Sequence, residues 1–297
     1  MYKTQLQKLH ALPKIQQKSE EWYEIRRNMI TASDFAQALG HGKFGTQRQL
    51  IEKKCLPREN ETIMSRSNPF FKWGIMFEPV ATDIYSDMYK THVHEFGLIQ
   101  HPKYDFFGAS PDGITDDGIM LEIKCPFKRK LTGDIPLQYY YQIQGQLDVC
   151  ELDECDYFEC TFEMSEGDIK DFIENGKGKY KGVLSENVDG SYNYEELYPP
   201  DCHPTITEKD PKKKYWILKE YNLKRVEKDV DFVNKKLQEL KGVWDKIVFY
   251  RNNPKAFELE IVRSVDISTE RYNSNRSPLS KTKVTQLLST SEYMFLD

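Results

Sequence analysis

Hydrophobic residues in the first ninety positions recur at helical intervals. Ser19 precedes the run EEWYEIRR, Thr31 and Asp34 form a capping-box pattern before FAQALG, and the run QRQLIEKKC follows. A longer run, PFFKWGIMFEPVATDIYSDMY, has large apolar residues at helical spacing, with Pro79 inside it. The pattern predicts four helices, with a kink at Pro79 or a helix whose first turn holds that proline.

From His92 the period shortens to that of strands. The runs HVHEFGLI, DFFGAS and GIMLEIKC are separated by turn residues, and Asp117-Gly118 is a strong hairpin signal. We expect three strands of one sheet here. The next run, PLQYYYQIQGQLDVC, predicts a helix, and ECDYFECTFEM alternates like a strand. This order of elements predicts an α/β fold with a central mixed sheet flanked by helices.

The second half of the chain has a different pattern. Residues from about 174 to 213 are rich in Gly, Asn, Pro and Lys and predict an insertion with one hairpin. Apolar residues then recur every three or four positions over about 225–252, which predicts a long amphipathic helix packed on the core. A polar tail begins near Ser268. We expect one domain over 1–297, with a core at about 20–165 and the helix and tail as a C-terminal extension.

Composition restricts the partners and the compartment. Lys and Arg total 42 against 47 Asp and Glu, so the net charge of −5 gives no global attraction to a polyanion, and contacts to nucleic acid would need local basic patches. No apolar run approaches the roughly 20 residues of a membrane helix, which predicts no membrane contact. Six cysteines without a C-x-x-C pair, and no signal-peptide pattern, predict a reducing intracellular compartment.

The run LEIKCPF carries an acid and a base two residues apart. On a strand, Glu122 and Lys124 would share one face, and a hairpin turning at 116–118 would bring Asp112 of the run SPDG close to Glu122. Two carboxylates suit Mg²⁺ or Mn²⁺, and an adjacent ammonium suits phosphodiester hydrolysis. Spacing alone leaves a second interpretation open, since P-D-G is a common turn and E-x-K can be a solvated strand face.

Five motifs in order extend this pattern. The runs RRNMITASDF, WGIMFEP, SPDG, LEIKCPF and YYYQIQGQL resemble the lambda-type exonucleases, or YqaJ-like viral recombinases, of the PD-(D/E)xK nuclease superfamily, over about Trp22 to Phe162. The resemblance implies that Asp112, Glu122 and the main-chain carbonyl of Ile123 bind metal and that Lys124 is the catalytic lysine. It also assigns Glu78 as a helix-borne acid and Gln142 as a supporting helix residue.

The same resemblance implies a site for the terminal 5′ phosphate of the digested strand at Arg26, Ser33 and Ser110, with Arg27 as an alternative to Arg26. A guanidinium and helix-start hydroxyls suit a phosphate dianion. Ser33 has a second interpretation as a helix cap. Lys128, Arg129 and Lys130, directly after the catalytic strand, are candidates for contact with the DNA backbone, as are Lys212 to Lys214; a solvated loop is the alternative.

By this resemblance the chain is expected to be a metal-dependent 5′-3′ exodeoxyribonuclease that acts on double-stranded DNA ends and leaves 3′ single-strand tails for recombination, repair or viral replication. A single-strand annealing protein is a candidate partner, the source is a phage or a large DNA virus, and the location is the host cytoplasm or nucleus. The C-terminal extension leaves both a monomer and a ring-shaped trimer open. An endonuclease, an RNA-degrading shutoff nuclease and a catalytically silent DNA-binding protein stay open as alternatives.

Two further patterns are weaker. His92 and His94 are two apart on a predicted strand, where a metal role is conceivable, but a pair without a third ligand nearby is more typical of structure. Cys150, Cys155 and Cys160 recur every five residues without the spacing of a zinc or iron-sulfur site, so we expect no cluster.

Overall fold

The computed structural model describes residues 2–13, 15, 19–56, 68–165 and 168–260. The helices are α1 (Tyr2–His10), α2 (Glu20–Arg27), α3 (Phe35–Ala38), α4 (Gln47–Cys55), α5 (Pro69–Tyr89), α6 (Leu137–Val149), α7 (Ile169–Asn175) and α8 (Val230–Asn252). The strands are β1 (Ile30–Thr31), β2 (Val93–His94), β3 (Ile99–Gln100), β4 (Phe107–Ala109), β5 (Gly113–Thr115), β6 (Met120–Lys124), β7 (Glu154–Ser165), β8 (Lys181–Glu186), β9 (Tyr192–Tyr198) and β10 (Lys213–Glu227).

The predicted helix starts are confirmed. The side chain of Ser19 accepts a hydrogen bond from the amide of Trp22 and caps α2. Thr31 and Asp34 form the predicted capping box, although the residues directly after Thr31 are a 3₁₀ turn and α3 has only four residues. Pro79 lies inside α5, whose first turn holds Pro69 instead. These signals were local in sequence, and local signals decide where a helix begins.

The expectation of one sheet for the three runs between 92 and 125 is wrong. A three-stranded sheet has the order β1-β4-β3, and a seven-stranded sheet has the order β2-β5-β6-β7-β10-β8-β9. The run HVHEFGLI is divided between the two sheets, with a break at Gly97. A β-carbon on Gly97 would lie 2.1 Å from the carbonyl oxygen of Ile15, so this close approach of two backbone segments requires glycine.

The second half of the chain extends the larger sheet. The predicted hairpin is β8–β9, and it pairs with β10, a strand that the sequence pattern did not predict. β10 pairs antiparallel with β7 from Tyr215↔Ser165 to Glu227↔Glu154. Val226, predicted to lie on the long helix, therefore belongs to β10, and α8 begins at Val230 after the cap residue Asp229.

Two hydrophobic clusters cover opposite faces of the central strands. Met120 and Tyr157 pack with residues of α6 and α8, whereas Leu121, Ile123 and Phe158 pack with α5. Because neighbouring residues of a strand point to opposite faces, Glu122 and Lys124 share the face of Met120, toward α6. The mixed α/β class predicted from the sequence is confirmed, and the polar tail from Ser268 lies outside the described residues. Among the described residues, no helix is long and apolar enough to cross a bilayer.

Candidate active site

The β5–β6 hairpin brings Asp112 to β6. Gly113 pairs with Leu121, and the turn is closed by Gly118, whose φ of 79° favours glycine. Oδ2 of Asp112 accepts a hydrogen bond from the amide of Ile123 at 2.7 Å. Asp112 therefore lies beside the middle of β6, between Glu122 and Lys124, as the hairpin signal predicted.

Glu122 is fully buried, with 0% of its side chain exposed, and is held from two directions. Lys124, on the same strand face, donates to Oε1 of Glu122. The amide of Gln146 on α6 donates to Oε2 at 2.8 Å. A buried carboxylate is stable only when its oxygens have partners, and here an ammonium and an amide supply them.

Gln146 is the site residue to which the sequence assigned no role. Helical spacing placed it on one face with Gln142, and the resemblance selected Gln142 as the supporting residue. The described contact to Glu122 comes from Gln146, one turn further along α6. Gln144 points elsewhere, as predicted, because its side chain donates to the carbonyl of Glu227 and accepts from the amide of Asp229. The role of Gln142 stays a prediction.

Negative charge accumulates around Asp112. Burial raises the pKa of this carboxyl well above its ordinary value, and repulsion from Glu122 and Glu78 raises it further, against the effect of Lys124. Burial alone would lower the pKa of Lys124, but Glu122 and Asp112 hold it well above its ordinary value. Lys124 is therefore a charged ammonium at neutral pH, and it lies beside two acids, with Glu78 close enough to act on Asp112.

This charge imbalance fits a divalent cation. The donors are oxygen atoms of Asp112 and Glu122, which Mg²⁺ and Mn²⁺ prefer, and a cation would relieve the repulsion that raises the pKa of Asp112. Among the described residues, no three His, Cys, Asp or Glu side chains already stand in an arrangement that could hold a metal ion. An ion bound here would thus combine the carboxylates of Asp112 and Glu122 with main-chain oxygen, such as that of Ile123, and water.

A second cluster lies at the start of the 3₁₀ turn after β1. The guanidinium of Arg26 donates to the hydroxyls of Thr31 at 3.2 Å and Ser33 at 3.1 Å. Its Cζ lies 4.3 Å from the centre of the Trp22 ring, which orients the guanidinium plane. Arg26 and exposed Ser33, paired by the resemblance, are therefore hydrogen-bonded neighbours.

A buried ion pair supports this cluster from behind. Nζ of Lys54 lies 3.0 Å from Oδ2 of Asp34 and donates to the carbonyl of Arg26 at 2.7 Å. Burial opposes ionisation of Asp34, but Lys54 and Arg26 outweigh it and hold the pKa of Asp34 far below its ordinary value. The result is a closed network in which every charge has a partner.

Ser110 has an unusual hydroxyl. Its Oγ is buried and makes no hydrogen bond, while its carbonyl lies 3.5 Å from Nε2 of Gln146. Ser110 is thus next to the amide that holds Glu122. A buried hydroxyl without a partner is costly, and a ligand oxygen would satisfy it.

The remaining basic candidates differ in what they contact. Arg27 donates to the carbonyl of Leu56 at the end of α4, away from Ser33. Arg129 pairs with Oε1 of Glu159, a fully buried carboxylate. Lys128 and Lys130 are exposed, and the ammonium of Lys128 lies over the Phe127 ring. Arg26 therefore suits the phosphate role better than Arg27, and Lys128 and Lys130 suit DNA contact better than Arg129.

Two residues of the run Lys212 to Lys214 have side-chain partners on the sheet extension. Lys213 forms an ion pair with Glu195, and Nζ of Lys214 lies 2.6 Å from Oε2 of Glu186. Each cation thus belongs to a local surface pair, which has little stabilising effect in water.

A comparison with known families gives a match over the segment that carries the five motifs. Residues 21–153 match the family described as the YqaJ-like viral recombinase domain, which confirms the resemblance read from the five motifs. This segment holds α2, the capping box, α5, the β5–β6 hairpin and α6. The chain is therefore similar to that family over residues 21–153, a little under half of its length.

Viral proteins are among the relatives. A protein of Acanthamoeba polyphaga mimivirus, described as uncharacterized, is 27% identical over 310 residues, which is 84% of this chain and 56% of that protein. A protein of African swine fever virus is 27% identical over 164 residues, covering 44% of this chain and 46% of its own length. The chain thus spans about half the length of the relatives it matches.

Solved structures share the fold. The alkaline exonuclease LHK-Exo from Laribacter hongkongensis superposes with a TM-score of 0.53 at 20% identity, covering 82% of this chain and 100% of that one. Its complex with dAMP gives a TM-score of 0.51 at 22% identity, with the same coverage. Because 82% of this chain is covered, the likeness includes part of the sheet extension beyond residue 153.

Proposed function

We propose that this chain is a metal-dependent exodeoxyribonuclease that degrades linear double-stranded DNA from its 5′ ends and leaves 3′ single-strand tails. The observation that carries the proposal is the convergence of Asp112, Glu122 and Lys124 at the central strand β6, within a segment that matches the YqaJ-like viral recombinase domain. A DNA nuclease is the coarse conclusion that the family and the fold support. Polarity, end preference and metal dependence are the finer parts of the proposal.

The hydrolytic residues have distinct proposed roles. Asp112 and Glu122, with the carbonyl of Ile123, would hold Mg²⁺ or Mn²⁺, and the ion would supply a Lewis acid for the phosphoryl oxygens when bound. Lys124 is charged and placed beside both carboxylates, so it can orient the attacking water and offset the charge that develops on phosphorus. Water adds to phosphorus as the bond to the 3′ oxygen of the terminal nucleotide breaks.

Three surrounding residues would position these groups. Gln146 fixes the carboxylate of Glu122 through its hydrogen bond to Oε2. Exposed Glu78 on α5 is close enough to raise the pKa of Asp112 and adds a third acid near the ion. Gln142, the residue selected by the resemblance, would act from the same face of α6.

The 5′ preference rests on the Arg26 cluster. Arg26 and Ser33 are hydrogen-bonded neighbours. Ser110 is the third candidate: its buried hydroxyl makes no hydrogen bond, and its carbonyl lies 3.5 Å from Nε2 of Gln146. A terminal phosphate dianion held at these donors would place the first phosphodiester bond toward β6. Each cleavage would create a new 5′ phosphate, which can return to the same donors. This cycle supports stepwise digestion from the 5′ end.

Assays on labelled linear duplexes test the proposal. Duplexes with a terminal 5′ phosphate or 5′ hydroxyl, and with the label at either end, should be incubated with Mg²⁺ or with EDTA, beside covalently closed circular duplex and RNA. We expect mononucleotides from the phosphorylated linear duplex with Mg²⁺ alone. Cutting of circular DNA would establish an endonuclease, preferential loss of RNA a shutoff nuclease, and absence of cleavage with retained DNA binding a silent DNA-binding protein.

A further inference from the structure

A group of three imidazoles and a carboxylate lies outside the candidate active site. The rings of His92 and His94 have centroids 4.5 Å apart, and the rings of His10 and His94 have centroids 4.9 Å apart. Nε2 of His94 is 2.7 Å from Oδ1 of Asp116. We name His10, His92, His94 and Asp116 the histidine cluster.

The fold brings the cluster together from three elements. His92 directly precedes β2 (Val93–His94), and because Val93 is buried, its neighbours His92 and His94 project to the other side of the chain. β2 pairs antiparallel with β5, and the amide of Asp116 bonds to the carbonyl of His92, which places Asp116 directly across from the two histidines. His10 ends α1 and reaches the cluster beside Phe96. The third imidazole that sequence spacing could not supply is His10.

Asp116 gives the cluster a feature typical of zinc sites. A histidine that binds zinc usually donates its second ring N–H to a carboxylate, which fixes the ring and its tautomer. With the Nε2 proton of His94 donated to Asp116, Nδ1 is the nitrogen left to bind a cation. The carboxyl is oriented too, because its other oxygen accepts from the amide of His92 at 3.3 Å.

We propose that the histidine cluster is a second cation site, which takes Zn²⁺ or a similar imidazole-binding ion through His10, His92 and His94, with Asp116 orienting His94. Imidazole nitrogens favour Zn²⁺, whereas the carboxylates at Asp112 and Glu122 favour Mg²⁺ or Mn²⁺, so the two sites would select different ions. The side chains of His94 and Asp116 are 21% and 57% exposed, which gives an ion access. Zinc would there complete a coordination shell of three nitrogens and one water.

The rings are neighbours but do not yet converge on one point. No three His, Cys, Asp or Glu side chains in the described part of the chain already stand in a metal-holding arrangement. The interplanar angles of 78° and 88° at His94 mean that binding requires rotation of His10 and His92 about their side-chain torsions. Such rotations are low in cost for side chains at an accessible surface.

An ion in this cluster would join the N-terminal helix to the hairpin that carries Asp112. α1 is otherwise held by buried Leu9 and by a hydrogen bond from Gln5 to the carbonyl of Cys150. A zinc link from His10 to β2 would add a contact at the other end of the helix, next to the β5–β6 turn. We therefore expect zinc to stabilise α1 as well as the protein as a whole.

Zinc titration of the full chain without an affinity tag tests the proposal. Calorimetry in excess Mg²⁺, and the visible absorption of bound Co²⁺ as a zinc substitute, should show one saturable site and a rise in melting temperature. The site should persist in Asp112→Asn, which separates it from the candidate active site. His94→Ala and His10→Gln should abolish it, and Asp116→Asn should weaken it by about 10-fold or more.

The matched control removes the other exposed pair of zinc-binding side chains, Cys202 and His203, in a Cys202→Ser/His203→Ala variant. Zinc affinity should not change in this variant. Loss of the site there, unchanged affinity in His94→Ala and His10→Gln, or loss in Asp112→Asn would overturn the assignment. Absence of saturable binding in the wild type would do the same. The outcome is independent of nuclease activity, because every readout is of binding or stability.

Discussion

Two buried acid–lysine pairs of this chain have the same chemistry and opposite electrostatics. At Asp34 and Lys54, one carboxylate meets one ammonium, and Lys54 with Arg26 holds the pKa of the acid far below its ordinary value despite burial. At β6, Lys124 faces Glu122 and Asp112, and the pKa of Asp112 is raised by burial and by Glu122 and Glu78. The charge of Asp34 is thus offset by cations, and we call Asp34–Lys54 the balanced pair. Lys124 lies beside two acids, and we call Glu122–Lys124 the unbalanced pair.

The difference distinguishes a structural pair from a reactive one. A balanced pair needs no further ligand, and removal of one partner leaves a buried charge alone. A site with excess carboxylate costs stability, and a bound cation would relieve that cost, as proposed for Asp112 and Glu122. The balanced pair also lies directly behind Arg26, so it supports the proposed phosphate site without contacting a substrate.

The largest expected effect is on catalysis at the unbalanced pair. Lys124→Ala should reduce DNA cleavage by about 10³-fold or more, since it removes the only ammonium described beside the reacting groups, while DNA binding stays nearly unchanged. Initial rates with Mg²⁺ and binding to duplex DNA in Ca²⁺ give the two readouts. Lys241→Ala, on the exposed face of α8, is the matched lysine control and should keep full activity. A cleavage rate near that of the wild type would refute the assignment of Lys124.

The balanced pair should give the largest loss of stability. Asp34→Asn leaves the Lys54 ammonium buried without its acid and should lower the free energy of unfolding by about 3 kcal/mol. Denaturant unfolding measures this effect. Asp245→Asn, in the exposed pair with Lys241, should change stability by less than about 0.5 kcal/mol.

The pH dependence of the same variant has a definite sign. Because the folded pKa of Asp34 is depressed, its pair stabilises the wild type above the unfolded pKa of about 3.9, and that stability is lost as pH falls toward the folded value. The wild type should therefore approach Asp34→Asn in stability as the pH is lowered below about 4. A constant difference across that range would mean that Asp34 acts through packing alone.

The parts of this molecule that sequence predicted are those determined locally. Capping residues located α2, and the Asp117-Gly118 turn with strand periodicity placed Asp112 against Ile123. Strand partners are determined by contacts far apart in the chain, so the division into two sheets and the long pairing of β10 with β7 were not predictable from periodicity.

In the candidate site, too, local features were predictable and contacts between distant parts of the chain were not. Helical spacing put Gln142 and Gln146 on one face of α6, but spacing does not say which turn lies over Glu122, since that depends on how the helix packs against the sheet. The contact between Arg26 and Ser33 was predictable from the motif, because the two residues are only seven positions apart in the sequence. His10 had no local signal, since its neighbours lie on β2.

Gln146 and Gln142 offer a test of intermediate size. Gln146→Ala removes the amide that holds Oε2 of Glu122 and should lower the cleavage rate by about 10- to 100-fold, through misplacement of the carboxylate. Gln142→Ala provides the direct comparison on the same helix face. Rates at saturating DNA should be compared after both variants are shown to unfold like the wild type. A larger loss in Gln142→Ala would favour the role given by the family resemblance over the contact in the structure.

The smallest expected effect is the change in stability of Asp112→Asn. It distinguishes the unbalanced from the balanced pair most clearly, because its sign is opposite to that of Asp34→Asn. Asp112 has a raised folded pKa, so its ionised form destabilises the metal-free protein, and stability is lost as pH rises through that pKa. At neutral pH without metal, Asp112→Asn should therefore raise the free energy of unfolding by about 1 kcal/mol. Mg²⁺ should stabilise the wild type and not the variant. The difference in the free energy of unfolding between them should therefore disappear or change sign when Mg²⁺ is added. If Asp112→Asn is less stable than the wild type without metal, the excess charge at β6 is already compensated, and the distinction between the balanced and the unbalanced pair fails.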